Sequence, residues 1–334
     1  MSDSDLTRRE RRIARRLDAR GDGPLFRRLH QLCGVRMRER FELGELLAVG
    51  GEGAIYRVRD RGNPESRLLG KVPLVKWHRP IKITSRVLRA ARAVIEHEAR
   101  VLTVVGCPYL PQCEGLQQFD NPLLESERGG EFGKPEPVLV MEYLAGQDLD
   151  TWLCRVHRGR VDLRALRATL DRLVVGTLQA LSDLEQRGWV YADLRPGNLR
   201  VMGRPRRRIR LIDAGGVVQP NPNVAHRFPH VPSYLPPDVF WAADKGRPIV
   251  ATAALHAAMA GRALYEIATG EAPQAAKEID HDRLAAAPVS TPVAETIAAL
   301  ARGGHSGCHA ALQQLAARAD RRIRGASALP PTVR

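Results

Sequence analysis

The sequence predicts an α+β fold with two lobes, a small lobe that is mostly β-sheet followed by a larger lobe that is mostly α-helical. Between residues 41 and 144, short strand-like runs dominate and are interrupted by one helical stretch at about residues 86–105. After Gly146, apolar residues recur three and four positions apart, which is the spacing of an amphipathic helix. A length of 334 residues also exceeds one ordinary hydrophobic core, so two lobes are expected.

The first 40 residues form a basic segment ahead of the small lobe. Leu6, Ile13 and Leu17 recur at helical spacing before the sequence GDGP at residues 21–24, where glycine and proline end the pattern. We therefore divide the chain into a basic N-terminal arm (1–40), a small lobe (41–144) and a large lobe (145–330), and we expect a helix within the arm.

Three further segments are predicted from composition and periodicity. Residues 117–136 (QQFDNPLLESERGGEFGKPE) are polar and contain Gly and Pro, which predicts a long loop inside the small lobe. Leucines and valines at helical spacing over residues 163–181 predict a long helix that ends at Gly188. The stretch GGHSGCHAAL at residues 303–312 predicts a helix that starts after glycines.

Composition indicates a globular protein with an excess of positive charge. The net charge is +15 and arginine supplies most of it, so acidic partners are compatible with the chain. The five cysteines are odd in number and include no CxxC pair, which favours a reducing compartment. No apolar run has the length of a membrane span, and the N-terminal residues lack the apolar core of a secretory signal. We expect a cytoplasmic protein without a membrane span.

Three polar residues, Asp193, Arg195 and Asn198, are closely spaced in the stretch VYADLRPGNLRV at residues 190–201. This stretch follows the predicted helix and precedes a short strand, so we expect a loop that holds its side chains rigidly. About a dozen residues later, the strand-like RIRLIDAGG places Asp213 at a strand end. A carboxylate can accept the proton of an attacking hydroxyl, and Asp and Asn oxygens bind the Mg²⁺ that accompanies phosphates. These residues therefore favour phosphoryl transfer.

The stretch YADLRPGN resembles the catalytic loop HRDLKPxN of the protein-kinase family, and DAG at residues 213–215 resembles its DFG motif. The resemblance implies that Asp193 is the catalytic base and that Arg195 takes the place of the loop lysine beside the γ-phosphate. It implies likewise that Asp213 and Asn198 hold Mg²⁺. The resemblance covers residues 41 to about 330 and implies a two-lobed protein-kinase-like fold.

Other kinase elements occur in the order that the family would have them. The glycines of LLAVGGEGAIYRV resemble the glycine-rich loop over the phosphates of ATP. Lys71, with Lys76 as the nearby alternative, resembles the strand lysine that contacts the α- and β-phosphates, and Glu98 resembles its partner on the following helix. VLVMEYLAGQDL resembles the strand and connection that contact adenine, with Asp148 at the ribose. The nucleotide-binding residues that the resemblance implies are Gly50, Gly51, Gly53, Lys71, Glu142, Leu144, Asp148, Asn198 and Asp213.

The resemblance implies an ATP- and Mg²⁺-dependent phosphotransferase, specifically a serine/threonine protein kinase whose partner is a protein with a Ser or Thr acceptor. Two alternatives remain open: a pseudokinase that serves as a nucleotide-binding or scaffold module, and a kinase of a small molecule or sugar. Nucleic-acid binding by the basic arm or by the turn GRPRRRIR also remains open. The pseudokinase alternative arises from departures from the family pattern at Ala48, Leu69, Arg200, Val231 and His256, and the small-molecule alternative arises from Tyr191 and Ala192 in place of the family's His and Arg. Ala214, in place of the family's Phe, is a further departure that bears on activity.

Overall fold

The computed structural model describes residues 6–51, 53–74, 84–122, 133–156, 162–203, 208–220 and 232–327, with the backbone alone at 208 and 319–327. The chain forms two compact units: the first comprises Met1–Val104 and Pro111–Tyr143, and the second comprises Val105–Leu110 and Leu144–Arg334. The protein is 50% helical and 20% strand, a mixture that is compatible with the predicted α+β class. Within the described residues, no helix combines the length and the apolar character that a membrane crossing requires.

The first unit is built on one antiparallel sheet. Its strands are β1 (Arg36–Met37), β2 (Phe41–Val49), β3 (Gly53–Asp60), β4 (Leu68–Pro73), β5 (Cys113–Phe119) and β6 (Glu136–Glu142). They lie in the order β1-β2-β3-β4-β6-β5, and every neighbouring pair is antiparallel. The helices of this unit are α1 (Arg8–Asp18), α2 (Gly23–His30) and α3 (Ser85–Val105), so the helix predicted at about residues 86–105 is confirmed.

The N-terminal segment contributes to the core of the first unit. Thr7 starts α1 with a capping box: its hydroxyl accepts a hydrogen bond from the Glu10 amide at 3.1 Å, and the Glu10 carboxylate accepts one from the Thr7 amide at 3.0 Å. The helix predicted in this segment is therefore confirmed. Its apolar side chains and those of α2 pack in the same core cluster as the sheet; the cluster includes Leu6, Leu17, Leu25, Phe26, Leu29, Leu43, Tyr56, Val58 and Val138.

The loop predicted over residues 117–136 is wrong at both ends. Residues 117–119 belong to β5, where Gln117 is paired with Val138 and Phe119 with Glu136. The side chain of Phe119 is 3% exposed, so the pairing buries an apolar group that the polar composition of the surrounding stretch concealed. Residues 123–132 of the predicted loop lie outside the described residues.

The second unit is mostly helical. Its helices are α4 (Leu149–Val156), α5 (Leu163–Gln186), α6 (Pro237–Asp244), α7 (Ala253–Thr269), α8 (His281–Ala286), α9 (Thr291–Ala301) and α10 (Cys308–Ser327). Its short strands are β7 (Gly146–Asp148), β8 (Val190–Tyr191), β9 (Leu199–Met202), β10 (Arg208–Leu211) and β11 (Val217–Val218). They form a three-stranded sheet in the order β10-β9-β7 and a two-stranded sheet of β11 and β8.

Local sequence signals explain where the long helix α5 begins and ends. Asp162 starts it by accepting a hydrogen bond from the Arg164 amide at 3.1 Å. Gly188 follows its end with φ at +79°, a conformation that favours glycine, and the amide of Trp189 returns to the Leu184 carbonyl at 2.9 Å. The predicted end at Gly188 is thus confirmed, as is the start of α10 after glycines.

Candidate functional site

Lys71 and Glu98 form a buried ion pair in the first unit. Lys71 Nζ on β4 lies 2.6 Å from Glu98 Oε2 on α3, and the two side chains are 7% and 1% exposed. Removing two charges from water is costly, and the short contact offsets that cost only while both partners stay in place. The fold therefore fixes the ammonium group of Lys71 through the position of α3.

A second buried ion pair fixes α3 to the sheet. Arg92 Nε on α3 donates to Glu136 Oε1 on β6 at 3.0 Å, and both side chains are largely buried. Burial raises the pKa of Glu136 above its ordinary value, although the hydrogen bond and charge of Arg92 act in the opposite direction. Helix α3 is therefore held to the sheet at two points, through Arg92 and through Glu98, the partner of Lys71.

Two glycines between β2 and β3, Gly50 and Gly51, and the first residue of β3, Gly53, differ in what surrounds them. The Gly50 amide donates to the Gly53 carbonyl at 2.9 Å, which closes the turn. A side chain at Gly53 would lie 3.0 Å from Cγ and 3.1 Å from Cε of Lys71, so glycine at 53 leaves room for that lysine. A side chain at Gly51 would meet no atom within 4 Å among the described residues, so the fold itself does not explain glycine there.

The positions expected to contact adenine lie at the end of β6 and just after it. The Glu142 amide donates to the Gln112 carbonyl at 2.8 Å, and the Glu142 carboxylate accepts from the Gln112 amide at 3.1 Å. Leu144, the first residue after the first unit, is 2% exposed. The alternative lysine, Lys76, lies outside the described residues.

The second unit holds Asp193 and Asn198 against each other. Asn198 ends a 3₁₀ turn, Pro196–Asn198, and its Nδ2 donates to both the carbonyl oxygen and Oδ2 of Asp193, each at 2.8 Å. Because Nδ2 is occupied in this way, the amide is oriented, and its Oδ1 has no donor among the described residues. The loop thus presents an oriented amide oxygen, which is a hard ligand of the kind that Mg²⁺ takes.

Asp213 is brought to the same loop by backbone contacts. The Ile212 amide donates to the Asn198 carbonyl at 3.0 Å, and the Ala192 amide donates to the Gly216 carbonyl at 2.7 Å. Asp213 Oδ1 accepts from the Gly215 amide at 3.1 Å, which orients the carboxylate. The segment after β10 is therefore tied to the loop of Asp193 on both sides of Asp213.

Gly216 is a site residue that the sequence reasoning missed. A side chain there would lie 2.7 Å from Cβ and 2.9 Å from the backbone nitrogen of Asp193, a distance that only glycine allows. The sequence contained a signal for this residue, namely the second glycine of DAGG, to which no role had been assigned.

Arg195 and Asp148 are in different surroundings. Arg195 is 44% exposed and its Nε lies 3.8 Å from Asp193 Oδ2, so a positive charge flanks the carboxylate. Asp148 on β7 is opposite Arg200 on β9, and Arg200 Nη2 lies 3.5 Å from its carboxylate. The residue expected at the ribose therefore already has an ionic partner.

His256 has a partner that the sequence reasoning did not anticipate. Its Nδ1 lies 3.0 Å from Oε1 of Glu185, and both side chains are mostly buried. The same carboxylate accepts hydrogen bonds from the amides of Cys308 at 2.8 Å and His309 at 2.9 Å. Glu185 thereby joins α5, α7 and the start of α10.

The structure therefore brings the predicted residues together in two groups, one in each unit. The first unit holds Lys71, Glu98 and Gly53 in contact, which provides a fixed cation beside a glycine turn. The second unit holds Asp193 with Asn198, and backbone bonds draw the segment of Asp213 to the same loop. A carboxylate held by an amide and a second carboxylate nearby are groups that can accept a proton and bind a divalent cation.

A short stretch of the chain is similar to a known protein. No protein-family model matches the chain. Over 47 residues the chain is 49% identical to the serine/threonine-protein kinase YabT of Bacillus subtilis (strain 168). The match covers 14% of this chain and 14% of the length of the relative. It supports a relationship to protein kinases over a short stretch.

Proposed function

We propose that the protein is an ATP- and Mg²⁺-dependent phosphotransferase of the serine/threonine protein kinase type. The observation that carries the proposal is the loop in which Asn198 orients Asp193 and backbone bonds hold the segment of Asp213 alongside. Asp–x–x–x–x–Asn followed by a second aspartate is the set that phosphoryl transfer needs for a base and for metal ligands.

In this proposal Asp193 accepts the proton of the attacking hydroxyl. The hydrogen bond from Asn198 Nδ2 fixes one carboxylate oxygen, which keeps the acceptor in a single orientation. Arg195, whose Nε lies 3.8 Å from that carboxylate, supplies positive charge beside the base. Asn198 Oδ1 and the carboxylate of Asp213 would hold Mg²⁺, which when bound neutralises phosphate charge.

The first unit supplies the groups that would bind the nucleotide phosphates. Lys71 offers an ammonium group that Glu98 holds in place, and the glycine turn offers backbone amides. Gly51 supports this role because no atom of the described residues would lie within 4 Å of a side chain there, and close approach by a phosphate requires such space. The protein class of the acceptor rests on the sequence resemblance and on the name of the short-match relative.

A binding module without turnover is the second candidate. Arg200 pairs with Asp148, the residue expected to contact the ribose, and Nε of Arg200 is buried without a partner among the described residues. A nucleotide would have to compete with this pair. Under this candidate Mg-ATP raises the melting temperature by mass action, but no phosphoryl group is transferred.

The test is transfer of labelled phosphate from ATP with Mg²⁺ to the protein itself or to a generic protein acceptor, beside a free sugar as the small-molecule acceptor. Asp193→Asn is the informative variant, because its amide oxygen still accepts the bond from Asn198 but cannot take a proton. We expect turnover to fall by about 100-fold or more while ATP affinity stays nearly constant, since a positioned base acts on the transition state.

Asp213→Asn serves as the metal-ligand comparison and should reduce Mg²⁺-dependent nucleotide binding as well as turnover. Equal turnover of wild type and Asp193→Asn would contradict the role of Asp193. Nucleotide binding with no transfer to any acceptor would favour the binding module, and transfer to the sugar alone would contradict a protein substrate.

A further inference from the structure

Helix α1 has two chemically distinct faces. Ile13, Ala14 and Leu17 pack against the core cluster of the first unit, and the one acid of the helix interior, Glu10, is 3% exposed. The opposite face carries exposed arginines at positions 8, 12, 15 and 16. Residues three and four positions apart lie on the same side of a helix. We name this surface the arginine face; it consists of Arg8, Arg12, Arg15 and Arg16.

The charge of the arginine face is not cancelled by the fold. Glu10 points inward, where its carboxylate accepts from the amides of Thr7 at 3.0 Å and Leu46 at 3.3 Å. Among the described residues, no carboxylate is paired with any arginine of this face. Further exposed arginines follow in the same segment of the chain: Arg20, Arg27, Arg28, Arg36 and Arg38.

Like charges one turn apart destabilise a helix, so the arginine face works against the stability of α1. The helix is retained because other contacts hold it: the capping box at Thr7, apolar packing, and a hydrogen bond from Arg9 Nε to the Leu47 carbonyl at 2.9 Å. The cap and the packing anchor the helix without using the arginine face. That face is therefore a row of cations on an anchored helix, and the row is about 12 Å long from the helical rise of 1.5 Å per residue.

We propose that the arginine face binds the phosphodiester backbone of duplex DNA, without reading its sequence. Guanidinium groups match phosphate oxygens with paired hydrogen bonds and are less strongly hydrated than ammonium groups. A row of four fits a regular array of phosphates, and backbone contacts carry no sequence information by themselves. This proposal is independent of the phosphotransfer proposed above.

Two other polyanions fit the surface less well. A helix that lies on a membrane inserts its apolar side, but the apolar side of α1 is already packed in the core. Proteins that bind single strands stack bases on exposed aromatic rings. Residues 1–40 contain no Tyr or Trp, and Phe26 is 3% exposed. The observations thus favour a duplex over a membrane or a single strand.

The test measures binding of the full chain to a fluorescent DNA duplex of roughly 20 base pairs over a range of salt, since each phosphate contact contributes about 0.9 to the slope of log K against log salt. We expect replacement of all four arginines of the face by Gln to lower that slope by about 3 and to weaken binding at low salt by at least tenfold. Gln has nearly the helix propensity of Arg, so α1 should persist, and circular dichroism checks it.

The matched control removes the same charge from exposed positions of the second unit, with Arg164, Arg167, Lys245 and Arg247 each replaced by Gln. We expect it to change affinity by less than about threefold, because the contacts are local. If the fourfold variant of α1 fails to fold, Arg12→Gln with Arg16→Gln provides a milder version with about half the loss of slope.

Several outcomes would overturn the proposal. Unchanged binding by the α1 variant would exclude the arginine face, and an equal loss in the control would show a general effect of net charge. Tighter binding to phosphatidylserine vesicles, to polyglutamate or to a single strand of the same sequence, at equal salt, would assign the face to another partner. A strong difference between two unrelated duplex sequences would contradict binding through the backbone alone.

Discussion

Lys71 occupies a fixed position in the first unit because Gly53 leaves room for its side chain and Glu98 binds its ammonium group. Neither feature depends on a ligand. The same two partners make the position sensitive to substitution, since each one is in contact with the lysine and is itself buried or part of the sheet. The effect of Lys71 on stability can therefore be separated from its effect on activity by the choice of which partner, Gly53 or Glu98, is substituted.

Lys71→Met should remove phosphotransfer and also destabilise the protein. The substitution leaves the carboxylate of Glu98 buried without its cation, and breaking a buried pair costs about 3–5 kcal/mol. The double variant Lys71→Met with Glu98→Gln should recover part of the unfolding free energy, measured by chemical denaturation, but no activity. Lys76→Met is the control for nearby charge and should leave both properties nearly unchanged. Loss of activity in Lys76→Met, with retention in Lys71→Met, would reverse the assignment of the two lysines.

Gly51→Ala should leave the melting temperature unchanged and weaken ATP binding by about tenfold, which corresponds to roughly 1.4 kcal/mol. The added methyl group meets no atom within 4 Å among the described residues, so we expect it to contact a bound phosphate and not the fold. Gly53→Ala is the comparison: its methyl group would press on Lys71, so stability should change as well. Calorimetric titration with ATP and thermal melting provide the two measurements. Equal ATP affinity in Gly51→Ala and wild type would argue against phosphate contact at this turn.

At the scale of the elements, Glu185 is the group that joins three helices of the second unit. Its carboxylate on α5 contacts His256 on α7 and the first two amides of α10. Gly307 must be small, since a side chain there would lie 2.7 Å from Glu185 Oε2. Burial by itself raises the pKa of Glu185, but the hydrogen bond and charge of His256 and the two amides reverse this and lower the pKa below its ordinary value of 4.5.

Glu185→Gln should destabilise the protein near neutral pH by about 1–3 kcal/mol, because charged hydrogen bonds to His256 and to the helix start are lost. A carboxylate with a lowered folded pKa stabilises the fold fully above 4.5, and this contribution disappears as the pH falls through the lower folded value. The difference in unfolding free energy between wild type and variant should therefore shrink as the pH falls below 4.5 through the lower folded value. A difference that does not change with pH would mean that the charge of Glu185 contributes nothing.

Much of the element pattern was predictable because it depends on local signals. Apolar spacing located α3 and α5, and Gly188 marked the end of α5, since each signal acts within a few residues. The capping box at Thr7 and Glu10 was also readable from the spacing TRRE but was not used. The loop over residues 117–136 was mispredicted because strand pairing with β6 is a long-range effect.

The candidate site was predictable as residue types in order, but not as contacts. The spacing of Asp193 and Asn198 placed both in one loop but did not predict the hydrogen bond between them, and Gly216 and Glu185 act through neighbours distant in sequence. Arg262 was also missed. It is fully buried in α7, where its Nε donates to the Ser233 carbonyl at 3.0 Å and its Nη2 to the Gln274 carbonyl at 2.8 Å. The signal was an arginine inside the apolar run of a helix, which requires buried partners.

At the scale of the whole molecule, the segment between Asp213 and Asp238 would control the proposed phosphotransfer only if it could act as a switch. In the sequence its only hydroxyl residues are Ser233 and Tyr234. Tyr234 is 7% exposed and its hydroxyl donates to the Glu266 carboxylate, and burial, followed by the charge of Glu266, raises the pKa of the phenol above its ordinary value. The carbonyl of Ser233 is bound by the buried Arg262. Tyr234 through its side chain and Ser233 through its backbone are therefore part of a packed anchor.

We predict that activity does not depend on phosphorylation of this segment. Such a switch needs an accessible hydroxyl and an arginine cluster that orders the chain around the new charge. The residue before Asp193 is Ala192 rather than arginine, and phosphate on Tyr234 would place two negative groups beside Glu266 in a buried site. Initial rates of phosphotransfer should be equal before and after exhaustive dephosphorylation, and Ser233→Ala should match wild type. A loss of about tenfold on dephosphorylation, reproduced by Ser233→Ala, would show that a phosphate on Ser233 stabilises the active arrangement by more than about 1 kcal/mol.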